Sequence, residues 1–306
     1  MRILITGAGG MLAADLIRAA DRAGHRVLAL PHAQLDICDE RQVTAALERL
    51  ADGEPAEASG AASEDPSPAI VNCAAFTDVD GAEQRREEAF AVNAEGPGLL
   101  AQAAAARSIP LLHISSDYVF GGVRPGAAGA HAPGDPYRES DPPAPCGAYG
   151  MSKRAGEEAV AAAGGQHTIV RSSWLFGLGG RNFVATMLRL AGERGAVSVV
   201  DDQVGTPTWT GHLAPALIGL LERSVRGIVH LAGGGEVSWC GFAREIFRQA
   251  ELDCRVQAIG SAESGRAAPR PAYSALASER SDVIALPPWQ QGLEGYLAAR
   301  AGIMRA

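Results

Sequence analysis

The stretch Ile3-Leu4-Ile5-Thr6-Gly7-Ala8-Gly9-Gly10-Met11-Leu12-Ala13 decides the fold, because it reads as strand, glycine turn and helix start in succession. Gly7 and Gly10 let the chain turn tightly and bring backbone amides to a pyrophosphate. The helix beginning near Gly10 points its positive end at the same group. The spacing is G-x-x-G-x-x-A, with Ala13 where a third glycine allows close helix–strand packing, and alanine is small enough to serve. A glycine turn alone is weak, but one set between a strand and a helix points to dinucleotide binding rather than to a plain turn.

Outward from this unit, short apolar runs alternate with helical patterns. Strands are expected at 2–6, 26–30, 69–73, 111–115 and 168–171, with helices at 11–23, 40–50, 89–107 and 149–163 between them. Strands flanked by helices imply βαβ units and a parallel sheet covered on both faces. Further strands are expected at 197–200 and 228–231, and helices near 211–223, 239–251 and 289–300. The fold class is α/β: a Rossmann-type doubly wound parallel sheet, its order reversing beside the first strand, with a smaller C-terminal substrate-binding lobe. Residues 1–173 and about 209–231 are assigned to the dinucleotide-binding domain, and about 174–208 and 232–306 to the lobe. Two segments break the rhythm. Residues 52–68 are acidic and rich in Ala, Ser and Pro, a surface insertion that buries little. Residues 121–145 are rich in Gly, Ala and Pro and read equally as a lid or as an inert insertion.

The bulk numbers exclude several classes. A net charge of -8 over 306 residues argues against a nucleic-acid or anionic-membrane binder, since either needs a basic surface. No apolar run approaches the roughly 18 residues of a membrane span, and no signal peptide is expected at the N-terminus. Cys38, Cys73, Cys146, Cys240 and Cys254 are scattered, with no C-x-x-C spacing; reduced thiols in the cytoplasm and no metal site follow.

The chemistry gathers near Ala148-Tyr149-Gly150-Met151-Ser152-Lys153. On a helix Tyr149 and Lys153 share one face, and an ammonium beside a phenol favours the phenolate. Such a pair suits proton donation, though a lone Y-x-x-x-K equally describes two surface residues. Ser115 and Ser116 end a strand where ligands gather in open α/β sheets, and Trp174 follows another strand end, either covering a sugar ring or packing in the core. At the end of the second strand no carboxylate appears until Asp36, which favours NADP over NAD, with Arg26 or His32 near the extra phosphate. Asp36 is also a candidate helix N-cap.

Several runs occur in the same order as in a known family: Gly7-x-x-Gly10, Asn72-Cys73-Ala74-Ala75-Phe76-Thr77-x-Val79-Asp80-x-Ala82-Glu83, Val92-Asn93-Ala94, Ser116-Asp117-Tyr118-Val119-Phe120, Tyr149-Gly150-x-Ser152-Lys153, Arg171-x-Ser173-Trp174, Asn182-Phe183, Asp202-Gln203-x-Gly205-x-Pro207-Thr208 and Arg270-Pro271-x-x-Ser274. Across nearly its whole length the chain resembles the extended short-chain dehydrogenase/reductases, and among them the dTDP-4-dehydrorhamnose reductases. The resemblance implies NADPH- or NADH-dependent reduction of a dTDP-4-keto-6-deoxysugar, yielding dTDP-L-rhamnose or a relative such as dihydrostreptose. It implies catalytic roles for Tyr149 as proton donor, Lys153 on the phenol and the nicotinamide ribose, and Ser116, where a threonine is usual, orienting the keto group. Gly7, Gly10, Met11 and Leu12 are implied at the pyrophosphate, Asp36 and Ile37 at the adenine, and Ala74, Ala75 and Phe76 along the cofactor's middle. Asn93 is implied as the helix-kink asparagine that supports the lysine. Asp117 and Trp174 are implied at the sugar, and Asn182 and Arg270 are placed at phosphate or base. Tyr118 stands where nucleotide-sugar dehydratases carry a glutamate, so elimination lacks its base. Some relatives form magnesium-linked homodimers; no carboxylate cluster in this sequence marks such a site. A second class stays open: a non-catalytic NADP-binding regulatory subunit similar to the methionine adenosyltransferase β subunit. Intact Ser116, Tyr149 and Lys153 favour the enzyme.

Overall fold

The structure, a computed structural model, describes residues 1–52, 67–122 and 135–305. Its first half runs β1 (Arg2–Thr6), α1 (Met11–Arg22), β2 (Arg26–Leu30), α2 (Glu40–Asp52), β3 (Pro68–Asn72), α3 (Val79–Gln84), α4 (Arg86–Phe90), a π-helical turn at Ala91–Glu95, α5 (Gly96–Ala105), β4 (Leu111–Ser116), α6 (Ala148–Ala162) and β5 (His167–Ser172). The rest runs β6 (Leu175–Phe176), α7 (Phe183–Glu193), β7 (Ala196–Val200), β8 (Val204–Gly205), β9 (Thr208–Trp209), α8 (Thr210–Glu222), β10 (Gly227–His230), β11 (Val237–Ser238), α9 (Trp239–Gln249), β12 (Arg255–Ile259) and α10 (Trp289–Arg305).

Six strands pair in parallel in the order β2-β1-β3-β4-β5-β10. The order reverses between β1 and β3, so the expected doubly wound sheet is present with its switch point there. β1 shows why both faces are covered. All five of its residues are buried. Ile3 and Ile5 face α1 and α8, in one core with Leu16, Leu213 and Leu217. Leu4 points the other way, into a core with Val43, Leu47 and Leu100. A period of two on a strand sends alternate side chains to opposite layers, so an uninterrupted apolar run requires helices on both sides.

A third apolar cluster lies outside the sheet and includes Phe176, Val184, Phe242, Ile246, Trp289 and Leu293. Around it three two-stranded pairs form: β7 with β12 and β6 with β9 in parallel, β8 with β11 antiparallel. The two-residue strands β6, β8, β9 and β11 carry no periodicity and were not expected; β7 was, while its five-residue partner β12, mostly exposed and lacking an apolar run, was not.

The expected helix at 89–107 is broken into α4, the π-turn and α5. The π-turn inserts an extra residue, and Gly96-Pro97-Gly98 at the start of α5 adds a proline where its missing N–H costs nothing. α2 is capped by Asp39, whose Oδ1 accepts from the amides of Arg41 (2.9 Å) and Gln42 (3.3 Å), so the cap expected at Asp36 lies three residues later. Most of the two expected insertions, 53–66 and 123–134, lies outside the described residues. The described end of the second is pinned: Tyr137 is buried, stacks on Phe120 at 4.1 Å and exchanges backbone hydrogen bonds with Ala275 and Ala277. Among the described residues no helix is long and apolar enough to cross a membrane.

Candidate active site

Gly7 adopts φ +64°, and a Cβ there would lie 2.8 Å from the Ala74 backbone. The turn after β1 therefore sits directly on the segment after β3, at the switch point. Gly10 is the N-cap of α1 and offers no side-chain cap, so the first amides of the helix face the same end of the sheet as Ala74 and Ala75. Met11 is half-buried against Gly177 and Asn182, while the Leu12 side chain is in the core, leaving that residue its backbone for a ligand.

At the end of β2, His32 is exposed just past the strand. Arg26 opens the strand instead, in register with Arg2. Ligands gather at the opposite, C-terminal edge, about 13 Å along a five-residue strand, so Arg26 is excluded as a phosphate contact. The Asp36 carboxylate accepts from the Cys38 amide at 3.0 Å. Ile37 is buried on α5, where a Cβ on Gly96 would lie 2.7 Å from it, so its side chain serves the core.

Tyr149 and Lys153 occupy the first two turns of α6. Glu83 from α3 accepts from the Ala148 amide at 2.7 Å and supplies the cap that Gly147 lacks. Asn93 in the π-turn is fully buried. Its Oδ1 accepts from Phe76 N (2.9 Å), and its Nδ2 donates to Phe76 O (3.0 Å) and Ser152 Oγ (3.0 Å). It touches the neighbour of Lys153 and fixes the Ala74–Phe76 segment, as a supporting residue does.

The Lys153 ammonium is 2 % exposed and donates to the Ile114 carbonyl on β4 at 2.8 Å. Burial pulls it down to about 8, while Glu157 and Cys73 act in the other direction. Tyr149 is half-buried, its ring edge-on to Tyr118 at 5.5 Å. Ser116 Oγ donates to Asp117 Oδ1 at 3.0 Å and accepts from Tyr118 N at 3.1 Å. The expectation that Lys153 depresses the phenol is not met here. Burial pushes Tyr149 up to about 12, Ser116 opposes this and Asp117 adds to it; desolvation outweighs the rest. Asp117 is 2 % exposed, accepts from Ser274 Oγ at 2.6 Å, and is pushed by burial up to about 7.

Three further expectations resolve differently. Trp174 holds a left-handed φ of 47° and stacks on Trp239 at 3.5 Å, so it is half-buried in an aromatic pair rather than free over a sugar. Asn182 is the N-cap of α7: its Oδ1 accepts from Ala185 N at 2.9 Å and its Nδ2 donates to Gly177 O at 2.8 Å, which commits both ends of the amide to the backbone. Arg270 makes a bidentate pair with Asp80, at 2.8 and 3.0 Å, instead of presenting a free guanidinium to a phosphate. Asp80 and Glu83 entered the sequence reading only as letters of a motif. Their partners lie 190 and 65 residues away, which no local spacing reveals.

A doubly wound sheet with a Tyr-x-x-x-Lys helix laid against its fourth strand is the arrangement of an extended short-chain dehydrogenase/reductase. Residues 1–301 match the RmlD substrate binding domain family, and the chain belongs to the dTDP-4-dehydrorhamnose reductase family. It is 43% identical over 306 residues to the dTDP-4-dehydrorhamnose reductase of Mycobacterium tuberculosis, covering 98% of this chain and 93% of the relative. It is 41% identical over 302 residues to a Streptomyces antibioticus protein named for dTDP-4,6-dihydroxy-2-methyloxan-3-one 4-ketoreductase activity, covering 96% and 93%. The crystal structure of the Bacillus anthracis dTDP-4-dehydrorhamnose reductase in complex with NADP superposes with TM-score 0.87 at 35% identity, over 97% of this chain and 99% of that one.

Proposed function

We propose that the protein reduces the 4-keto group of a dTDP-4-keto-6-deoxy-L-sugar, dTDP-4-dehydrorhamnose or a close relative, using NADPH. The observation that carries this is the gathering of Tyr149 and buried Lys153 on the first two turns of α6, against the end of β4 that carries Ser116, with all three chemical groups intact. The residues also fit a dinucleotide. The Gly7 turn admits no Cβ against Ala74, and α1 begins with uncapped amides at the switch point. Gly7, Gly10, Met11 and Leu12 would hold the pyrophosphate, Asp36 and Ile37 the adenine, and Ala74, Ala75 and Phe76 the middle. The cofactor supplies the hydride. NADPH is preferred because the Asp36 carboxylate is engaged with the Cys38 amide and His32 stands exposed past β2.

Lys153 would meet the nicotinamide ribose hydroxyls. Ser116 would orient the keto oxygen, and Tyr149 would give that oxygen its phenolic proton, so that no free alkoxide forms. Asp117 lies one hydrogen bond behind Ser116. Tyr118 follows Asp117 where elimination would need an acid, which favours simple reduction. Residues 174–208 and 232–306 act as the lobe over the sugar. The same reading places the protein in the cytoplasm, in keeping with five free cysteines, and carries a homodimer, for which light scattering is the check. Mixing the protein with NADPH and dTDP-4-dehydrorhamnose should produce decay of absorbance near about 340 nm, the band of the reduced nicotinamide. No decay beside a competent control would sink the reductase reading and leave a non-catalytic dinucleotide-binding role.

A further inference from the structure

One turn beyond Lys153 on the same face of α6 stands Glu157, only 5 % exposed. Arg171 on β5, 1 % exposed, donates Nε to Glu157 Oε1 at 2.9 Å and Nη2 to Oε2 at 2.7 Å. Ser115 Oγ donates to the same Oε1 at 2.6 Å. Lys153 and Glu157 thus anchor α6 to consecutive residues of β4: the ammonium to the Ile114 carbonyl, the carboxylate to the Ser115 hydroxyl. The run continues across the sheet. Arg171 Nη1 lies 3.3 Å from His230 Nε2 on β10, and His230 Nδ1 meets the carbonyls of Tyr137 (3.0 Å) and Ala277 (3.2 Å). Burial keeps His230 neutral, so Nε2 accepts from Arg171 and Nδ1 donates to the carbonyls.

An ion pair this deep is weak as a source of stability, because desolvation offsets its attraction. Its placement suggests another use. We propose that Glu157 is a positioning residue for Lys153: held rigid by Arg171 and Ser115, it keeps the lysine cationic and fixes it above β4, where the bound dinucleotide needs it. The proposal rests on the reading that Lys153 serves the cofactor. The ionisable groups around Lys153 are Cys73 past the end of β3, His113 on β4, and Tyr149 and Glu157 on α6. Burial pushes Cys73 up to about 12 and His113 well below its usual value, so both are neutral at physiological pH. Tyr149 is also neutral there. Glu157 is the anion of the group, and its bidentate partner Arg171 on β5 is the cation behind it.

The sequence supplies an unusually direct test, because Lys153 is the only lysine in the chain. Protein labelled with [ε-13C]lysine has one side-chain signal, and its titration reports this ammonium alone. In the wild type the midpoint is expected near 8. Glu157→Gln should lower it by about one pH unit or more, and Glu157→Asp should restore most of the difference. NADPH should then bind Glu157→Gln about fivefold more weakly at pH 8 and equally at pH 6, where both lysines are charged; a role in packing alone would weaken binding at both. If the single variant fails to fold, Glu157→Gln combined with Arg171→Met leaves no buried guanidinium unpaired and should still show a lowered midpoint, the drop being smaller because a cation is removed with the anion. A midpoint in either variant equal to the wild type overturns the proposal. A lowered midpoint that NADPH affinity does not follow supports the coupling and removes instead the assignment of Lys153 to the cofactor.

Discussion

In the proposed reaction Tyr149 is the proton donor, and its surroundings hold that proton tightly. Burial keeps the phenol protonated throughout the neutral range, the state that the proposed donor needs. Tyr149→Phe keeps ring and packing but loses the donor: kcat should fall by about 10²-fold or more with NADPH affinity unchanged, by stopped-flow and fluorescence titration. Wild-type turnover would refute the assignment. Lys153 is charged below about 8 and neutral above it, so NADPH affinity should decline as pH rises through that value. Lys153→Ala should bind weakly at every pH, with that dependence gone; a dependence that survives would point to another group. At this scale the Tyr-x-x-x-Lys spacing was legible, because helical geometry alone puts the two on one face. The phenol's raised value was not, because desolvation depends on what the fold packs around it. One plain signal was overlooked: Lys and Arg total 27, yet 153 holds the single lysine, and lysine is the cation that can shed its proton when buried.

At the scale of elements, α6 is set by what it rests on. Its Gly156 lies against the π-turn, where a Cβ would come within 2.0 Å of the Asn93 carbonyl oxygen. Helix propensity alone predicts that Gly→Ala gains about 1 kcal/mol. Here the sign reverses, since backbone must move to admit the methyl: Gly156→Ala should lose about 1–3 kcal/mol, read from urea midpoints. A gain would show that helix and π-turn are not in close contact. The glycine was visible in the sequence, but its reason was not. The expected helix at 89–107 was right in direction and wrong in continuity, because π-turns have no period of their own and Asn93 acts through Phe76 and Ser152, 17 and 59 residues away.

Across the whole molecule, two links tie the C-terminal segment to the first half of the fold: a buried one from Ser274 to Asp117 just past β4, and one from Arg270 to the partly exposed Asp80 on α3. They respond oppositely to pH. Arg270 holds Asp80 down to about 2, so its contribution is present above its ordinary 3.8 and lost only in strong acid. Asp117 is raised from 3.8 to about 7, so the unfolded chain ionises first and stability is lost as pH climbs between those values, then levels off. Urea denaturation should therefore show a loss between pH 5 and 7.5 that is smaller in Asp117→Asn. Equal losses in both proteins would mean that the carboxyl ionises normally in the fold.

The sequence alone determined the layered α/β class, the glycine turn and which groups are proposed to react, because alternation, turn conformation and side-chain chemistry are local properties. Only the tertiary structure decided that Asn182 caps a helix, that Arg270 answers Asp80, and that Glu157 is locked between Arg171 and Ser115. A buried polar group takes its role from the partner that replaces water. That partner arrives from a distant part of the chain, brought by the packing of strands and helices and not by anything written beside it.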